Sequence, residues 1–397
     1  MHPDLPVVPT AKNTSPPTTG RDAADPLLPR RRWIASSFLS LFEAGGFAVS
    51  RPIDVLSTQD GSVLFTSATI NVFRALLVEP GHRRVVRQPC LRTHNLPQLG
   101  EASFRPRFMS GFHMLGLIDT SEDTAPTQRL AARCLRDTLG LASRLCVHVR
   151  REDLALHRPF LDALGDVAVR IDVPDKQYDW TYGEPGLSGR GLPLSLTGED
   201  GTTREFGQIV TLLRGGRPIG VEFGFGEETF LAILDGLPSP FEASALWPVV
   251  QAAGGLEAPE AYHYVDLLYL FAQTQVCGIS PGRGRHRSIA RSAGRRLAAT
   301  VRRLGLDATR VEADLNGAAR LIEAVNPAAV LDAWRVLRAK YDADVALWDA
   351  FERNQRHLAA QGALSADRLE DRLRDYQRRL NLHQLPHAGR TSPAQRS

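Results

Sequence analysis

Strand-like and helix-like segments are separated along this chain, and that separation restricts the possible folds. Residues 49–235 contain short strand-like runs ended by Gly, Pro or Asp, such as VVRQPCLR, LCVHVR and PIGVEFGF. Several runs follow each other without a long intervening helix, which favours an antiparallel sheet over a doubly wound one. Residues 257–383 have almost no strand signal. The pattern predicts an α+β fold in which helices flank an antiparallel sheet and an all-helical domain follows it.

Composition and periodicity divide the chain into four predicted segments. Residues 1–30 are rich in Pro, Thr and Asp and have little apolar periodicity, which predicts a disordered tail. Residues 31–240 contain the predicted sheet domain, and residues 241–383 contain the predicted helical domain. The polar stretch 384–397 predicts a second tail.

The composition argues against several classes of protein. The four cysteines form no CxxC pair, which argues against a zinc site or a disulfide framework and fits a reducing cytosol. The chain has no run of about 18 apolar residues that would span a membrane. Its N-terminus lacks the apolar centre of a secretory signal. We therefore expect a cytoplasmic protein without a membrane partner. The net charge of +4 permits an anionic partner.

Three neighbouring segments carry the main functional signal. They are SVLFTSATINVFRALL at 62–77, CLRTHN at 90–95 and FRPRFMSGFHMLG at 104–116. Together they resemble the start of the catalytic domain of the alanyl-tRNA synthetase family, which is a class II aminoacyl-tRNA synthetase family. The resemblance implies a class II synthetase-like sheet domain. It also implies activation of a small amino acid with ATP and Mg²⁺, followed by transfer to tRNA.

The resemblance further implies an ATP site. CLRTHN matches the segment whose arginine contacts the α-phosphate, here Arg92, which would be the catalytic residue. A guanidinium suits this task because its planar fork pairs with phosphate oxygens. Without the flanking match, a solvated arginine at a strand end is the simpler interpretation of Arg92. The other ATP-binding positions that the resemblance implies are Arg107, Phe112, Met114, Gly224 and Gly226.

Two further segments resemble the amino-acid pocket of the family. In YDWTYGEPGLSGRG, at 178–191, Trp180 matches the tryptophan that forms a wall of the pocket, although a core tryptophan is also plausible. Gln208 lies where the family usually has an asparagine near the substrate. Glu222 lies where the family has an aspartate that pairs with the substrate ammonium. The carboxylate at position 222 preserves charge recognition of an amine.

The chain departs from the family where the tail of ATP is expected. The family's motif 3 continues into Leu-Glu-Arg, whereas this chain has Glu227-Glu228-Thr229. Losing a charge-assisted contact with phosphate costs about 1.5–3 kcal/mol. Arg214 or Arg217, in the preceding turn, is a candidate to replace the missing cation.

The helical half contains a basic run, PGRGRHRSIARSAGRRLAATVRRLG at 281–305, with eight arginines and no acidic residue. A solvated basic helix face is one interpretation. The absence of acids favours a second interpretation, in which the run makes salt-sensitive contacts with nucleic-acid phosphates. The resemblance implies contacts with a tRNA acceptor stem from Arg285, Arg291 and Arg295, and from Asp342. The run lacks the asparagine with which the family reads a wobble pair.

Three functions are compatible with these features. The first is an alanyl-tRNA synthetase-like ligase that charges tRNA, in translation or in a specialised pathway. The second is a non-catalytic paralogue that acts as an RNA-binding or regulatory module, which Thr229 favours. The third is transfer of the aminoacyl group from the adenylate to a carrier protein or to a small molecule instead of tRNA. We prefer the ligase because Arg92, Trp180 and Glu222 occur together. The chain ends where the family's editing domain would begin, so we expect no deacylase activity in cis.

Overall fold

The computed structural model describes residues 25, 27–56, 63–101, 103–198, 201–252, 260–322, 326–380 and 382. The predicted tail at 384–397 and residues 1–24 of the predicted N-terminal tail lie outside the described residues. Residues 28–30 belong to the first helix. Within the ranges given above, no helix is both long and apolar enough to cross a membrane.

Nine strands form a single sheet in the described part of the chain. They are β1 (Ala48–Val49), β2 (Arg83–Leu91), β3 (Gly111–Asp119), β4 (Leu145–Val149), β5 (Ala168–Ile171), β6 (Asp179–Thr181), β7 (Leu187–Thr197), β8 (Thr203–Arg214) and β9 (Arg217–Gly226). Their order is β1-β2-β3-β9-β8-β7-β4-β5, with β6 paired to β7. All pairs are antiparallel except β1 with β2 and β4 with β5. The predicted antiparallel sheet is confirmed, and the two parallel pairs lie at its edges.

The helices lie before, between and after the strands. They are α1 (Leu28–Ala44), α2 (Thr69–Phe73), α3 (Ala125–Arg133), α4 (Arg158–Leu164), α5 (Glu227–Leu234), α6 (Trp247–Ala252), α7 (Glu260–Val276), α8 (Arg285–Leu304), α9 (Ala308–Leu321), α10 (Pro327–Ala360) and α11 (Ala366–Arg379). Helices α6–α11 follow the last strand without interruption by another strand among the described residues. This confirms the predicted helical region after the sheet.

Strand β9 shows how the sequence assigns the two faces of the sheet. Successive side chains of a strand point to opposite faces. Phe223 and Phe225 therefore share one face, where they pack against Phe38 of α1 at ring-centroid distances of 5.9 and 5.4 Å. Glu222 and Gly224 lie on the other face. The aromatic residues fix the register of β9, and that register leaves the opposite face of the strand free to line a cavity.

The helical region has its own core around α7. Nearly every side chain of α7 is buried, and Phe271 packs edge-on against Trp334 of α10 at 6.0 Å. Asp307 caps the N-terminus of α9 by accepting a hydrogen bond from the Arg310 amide, and Gly305, in a left-handed conformation, caps the C-terminus of α8. Helices α7 and α8 also contact the loop between β2 and β3. The helical region is thus packed directly against the part of the sheet domain that carries Arg92.

Candidate active site

A cavity of about 350 Å³ opens on the face of the sheet opposite α1. It gathers six of the predicted site residues, namely Arg92, Met114, Trp180, Gln208, Glu222 and Gly224. The remaining lining comes from Ser67, Ala68, Thr69, Ile70, His94, Phe108, Tyr182 and Val210. The volume lies within the range of small-molecule sites in proteins.

Glu222 provides an acidic group in the cavity. Its Oε1 accepts a hydrogen bond from the Ile70 amide at 2.9 Å, and its Oε2 accepts one from the Tyr182 hydroxyl at 3.5 Å. Burial raises the pKa of Glu222 to about 7, although these two hydrogen bonds and the charge of Arg92 act to lower it. The side chain forms no ion pair within 4.0 Å among the described residues. A cationic group entering the cavity would therefore find a carboxylate without a counter-ion.

Trp180 forms one wall, and Gln208 fixes its orientation. The Trp180 indole N–H donates to Gln208 Oε1 at 3.1 Å. Trp180 pairs with Gly189 in the β6–β7 ladder, and both residues lie near Gly191. A Cβ added at Gly191 would approach the indole nitrogen to 2.9 Å and Gln208 Oε1 to 3.1 Å, so a side chain there would displace the wall. Trp180 thus lines the cavity, and its partly buried side chain also packs against the apolar cluster that contains Ile70 and Val210.

Arg92 provides a cationic group in the same cavity. Its Nε and Nη2 donate to the Ser67 carbonyl at 3.1 and 2.9 Å, and its guanidinium carbon lies 4.8 Å from the centroid of the Phe112 ring. Burial lowers the pKa of Arg92, although Cys90 and Glu222 act in the opposite direction. No carboxylate lies within 4.0 Å of the guanidinium in the described ranges. Arg92 is therefore an oriented cation whose charge is not neutralised by an ion pair.

The segment that begins helix α2 is held close to the sheet. Asn71 Oδ1 accepts hydrogen bonds from the amides of Ser67 and Ala68, both at 3.0 Å. Thr69 lies directly over two glycines of the sheet. A Cβ added at Gly116 would lie 1.9 Å from Thr69 Oγ1, and one added at Gly224 would lie 3.1 Å from it. Gly116 and Gly224 thus permit α2 to pack closely enough to close the cavity on this side.

Three predicted ATP-binding residues lie outside the cavity lining. Arg107 is exposed in the loop between β2 and β3, next to the lining residue Phe108. Phe112 is buried behind Arg92, and Gly226 packs near it, since a Cβ at Gly226 would lie 3.5 Å from the Phe112 ring. Phe112 therefore positions Arg92 and does not line the cavity as the resemblance implied.

The two acids at the start of α5 are engaged within the protein. Glu227 forms a bidentate ion pair with Arg87, at 2.6 and 3.0 Å. Glu228 accepts hydrogen bonds from the His113 amide and from His113 Nδ1, both at 2.9 Å. Burial raises the pKa of Glu228, but the hydrogen bonds and charge of His113 prevail, and the net direction is down. Neither acid lines the cavity.

The proposed replacement of the missing motif 3 arginine by Arg214 or Arg217 is wrong. These residues pair with each other at the turn between β8 and β9, whereas Gly224 pairs with Gln208. The seven residue-to-residue steps from Arg217 to Gly224 span about 23 Å at roughly 3.3 Å per step. Arg214 also pairs with Glu184 at 2.7 Å. Both arginines therefore lie far from the cavity end of β9.

The predicted RNA-binding residues fall into two groups. The side chains of Arg285 and Arg291 are exposed and form no hydrogen bond or ion pair with the described residues. Arg295 is largely buried; it pairs with Asp344 at 2.7 Å and donates to the Leu380 carbonyl. Asp342 pairs with Arg338 at 2.9 Å on the surface of α10. The structure thus gives Arg295 a packing contact in the helical region, contrary to the expectation of a surface contact with RNA.

The first turn of α8 lies beside the cavity. His286 Nε2 donates to the Leu64 carbonyl at 2.9 Å, and its ring meets Phe65 edge-on at 5.4 Å. Leu64 and Phe65 shortly precede Ser67, which lines the cavity. His286 therefore joins the first turn of α8 to the segment that leads into the cavity residue Ser67.

Several lining residues were missed by the sequence analysis. Tyr182 lies two positions after Trp180, and the two-residue period of an extended strand would have placed both side chains on one face. Ser67 and Thr69 lie inside the quoted segment 62–77, but no sequence signal distinguishes their contacts. His94 is in CLRTHN and had no assigned role. Among the described residues, no group of three or more His, Cys, Asp and Glu side chains is arranged to hold a metal ion.

Comparisons with known proteins agree with the motifs. The chain is 28% identical over 246 residues to an alanine–tRNA ligase of Rhodopirellula baltica, covering 55% of this chain and 26% of that protein. It is 25% identical over 265 residues to an alanine–tRNA ligase of Synechococcus sp. strain CC9311, covering 59% and 29%. The matches thus span less than a third of the length of these relatives. No protein-family model matches the chain.

Among solved structures, the apo histidyl-tRNA synthetase of S. aureus aligns with a TM-score of 0.36 at 12% identity, covering 59% of this chain and 75% of that chain. The similarity to the two bacterial alanine–tRNA ligases confirms the resemblance that the sequence motifs indicate.

Proposed function

We propose that the protein activates a small amino acid with ATP as an aminoacyl adenylate and transfers the aminoacyl group to tRNA. One observation carries the proposal. A single cavity contains an oriented guanidinium, Arg92, and a carboxylate, Glu222, that are not paired with each other. An amino acid and the α-phosphate of ATP bring the complementary charges. The sequence similarity to alanine–tRNA ligases supports the same chemistry.

The reaction follows from the placement of these groups. The substrate ammonium pairs with Glu222, and Ile70, Trp180 and Val210 enclose a small side chain. Arg92 pairs with oxygens of the α-phosphate and stabilises the charge that grows there. The substrate carboxylate attacks the α-phosphorus. One P–O bond forms as the bond to the pyrophosphate leaving group breaks. No general base is needed because the attacking carboxylate is already ionised.

Magnesium belongs to the substrate in this scheme. Glu227 and Glu228 are committed to Arg87 and His113, which leaves Glu222 as the carboxylate that lines the cavity. The described residues therefore do not fit a resident Mg²⁺ site. We propose that Mg²⁺ enters with the triphosphate, as is common for nucleotide sites. Because no protein carboxylate is reserved for it, the step above does not depend on a protein-bound metal.

The acceptor proposal depends on α8. Arg283, Arg285 and Arg291 are exposed at and just before the start of α8, and they have no partner among the described residues. Phosphates of an RNA strand are a complementary ligand for such a group. An RNA bound there would lie next to the cavity in which the adenylate forms. We therefore propose tRNA as the acceptor in preference to a carrier protein.

The proposal is tested by ATP–pyrophosphate exchange with each small amino acid. We expect exchange with one of them, and loss of about 100-fold or more in Arg92→Ala, the typical effect of removing a donor to a developing oxyanion. Arg217→Ala is the matched control, because it removes an exposed arginine at the far end of β9. Aminoacylation of total tRNA then tests the acceptor.

A second function is favoured by Thr229. If the folded protein supports no exchange with any amino acid but binds tRNA, the chain is a non-catalytic RNA-binding paralogue. Equal exchange in Arg92→Ala and Arg217→Ala would remove Arg92 from the mechanism.

A further inference from the structure

The loop from Arg92 to Ser110, which joins β2 to β3, supplies three of the cavity-lining side chains. They are Arg92, His94 and Phe108. The two ends of this loop are joined by a hydrogen bond in which the Arg92 amide donates to the Ser110 carbonyl at 2.7 Å. The position of the Arg92 backbone therefore depends on the position of Ser110.

Ser110 is held by a residue of the helical region. Asp266, on α7, is fully buried, and its carboxylate accepts the Ser110 amide at 2.6 Å and the Ser110 hydroxyl at 2.8 Å. The Asn95 side chain also donates to Asp266, and Asn95 Nδ2 donates to the Phe108 carbonyl at 2.7 Å. One buried carboxylate thus anchors both the beginning and the end of the loop.

Other side chains of α7 and α8 hold the middle of the same loop. His263 Nδ1 accepts the Gly100 amide at 3.2 Å, and His263 Nε2 donates to the Phe104 carbonyl at 2.8 Å. Arg296 donates to the Leu99 carbonyl at 2.7 Å, and Arg303 donates to the Gly100 carbonyl. Arg296 and Arg303 belong to the basic run of α8, so part of that run binds the loop instead of facing solvent.

We propose that Asp266 is a positioning residue for Arg92, through which the helical region sets the geometry of the phosphate site. The proposal rests on the proposed function, since it takes Arg92 as the ligand of the α-phosphate. With its amide and hydroxyl both bound by Asp266, Ser110 presents its carbonyl to Arg92 in one orientation. Removal of the carboxylate leaves a buried amide without an acceptor and frees the loop to move. A displacement of about 1 Å in a catalytic group reduces turnover by about 100-fold.

Asp314 provides a matched control for a purely structural role. It is equally buried in the helical region and accepts the Tyr264 hydroxyl at 2.8 Å, but it lies on α9 and bonds to α7 instead of the loop. Asp266→Ala and Asp314→Ala each remove a buried carboxylate that accepts a hydroxyl. Only the first disconnects the helical region from Ser110. Asp266→Asn keeps one oxygen for the Ser110 amide and serves as the partial rescue if the alanine variant does not fold.

The experiment compares these variants at pH 8 by two measurements. The first is pyrophosphate exchange, in which we expect kcat to fall by about 100-fold in Asp266→Ala and by less in Asp266→Asn. The amino-acid KM should change little, because the hydrogen bonds that hold Glu222 and Trp180 are made to residues outside this loop. The second is hydrogen–deuterium exchange of the peptide that contains Arg92. We expect the Arg92 amide to lose protection in both Asp266 variants and to keep it in Asp314→Ala.

The two measurements separate this proposal from the proposed function. If the unmodified protein shows no pyrophosphate exchange, the proposed function fails, and the amide measurement still decides the role of Asp266. Equal protection of the Arg92 amide in the Asp266 and Asp314 variants would overturn the proposal. Equal turnover in an active protein would overturn it as well.

Discussion

Replacing Glu222 by glutamine should stabilise the free protein at alkaline pH. The carboxylate is deep in the cavity without a counter-ion, and burial raises its pKa from an ordinary value of 4.5 to about 7. Because the pKa of the folded state is the higher one, the folded state binds the proton more tightly than the unfolded chain does. The stabilising contribution is fully present below about pH 4.5 and is lost as pH rises through about 7.

The magnitude follows from the two pKa values. At about 1.4 kcal/mol for each tenfold change in proton affinity, the difference between them corresponds to about 3 kcal/mol at full ionisation. Roughly 2.5 kcal/mol of this develops between pH 5 and pH 8. Glutamine retains an acceptor for the Ile70 amide and carries no charge. The free energy of unfolding of Glu222→Gln relative to the unmodified protein should therefore rise by about that amount over this interval.

The assay is urea unfolding followed by circular dichroism at pH 5 and pH 8. Other titrating groups cancel because only the difference between the two proteins is used. Glu228→Gln is the control that should not change over this interval. Burial raises the pKa of Glu228, but the bonds from His113 lower it overall from 4.5, so its stabilising contribution is present at both pH values and is lost only at lower pH. A Glu222→Gln difference that does not change with pH would refute the description of Glu222 as a buried, uncompensated carboxylate.

Three further substitutions test other parts of the structure. Gly116→Ala would place a Cβ 1.9 Å from Thr69 Oγ1 and should lower the free energy of unfolding, measured with urea, by about 1–3 kcal/mol. The double variant with Thr69→Ala should recover part of that loss. Arg291→Glu should weaken tRNA binding in a filter assay and reduce the slope of log affinity against log salt concentration by about 1 or more, without a change in stability. Arg295→Glu should mainly destabilise the fold, which thermal unfolding measures. Arg107→Ala should raise the KM for ATP by about 10-fold with kcat retained if this loop arginine meets the triphosphate, and an unchanged KM would exclude it.

The sequence predicts the contribution of β9 to the cavity because a local rule governs it. The alternation in VEFGFG places Phe223 and Phe225 against α1 and leaves Glu222 and Gly224 on the opposite face. The same rule extends to Tyr182, which follows Trp180 at the two-residue period. Features of this kind depend on neighbours in the chain. They can therefore be predicted before the tertiary structure is known.

The basic run of α8 shows what local rules do not predict. Eight arginines without acids indicate a nucleic-acid surface, yet Arg295, Arg296 and Arg303 bind a carboxylate or backbone carbonyls of other elements. These partners lie between 49 and 203 residues away along the chain. A count of charges gives no information about such pairings. Only the packing of α8 separates these arginines from Arg285 and Arg291, which remain exposed.

Thr229 stands where the resemblance places the motif 3 arginine, and the two acids that precede it are engaged within the protein. Glu227 and Glu228 would repel a triphosphate if they faced the cavity. Arg87 and His113 engage them instead, and neither acid lines it. Under the proposed function, Arg92 is the cationic side chain of the described cavity lining that would meet the phosphates, and the exposed Arg107 precedes the lining residue Phe108 in the same loop. Helices α7 and α8 hold that same loop through Asp266 and Arg296. If the proposed function holds, the helical region would contribute to nucleotide recognition through its hold on the loop that carries Arg92.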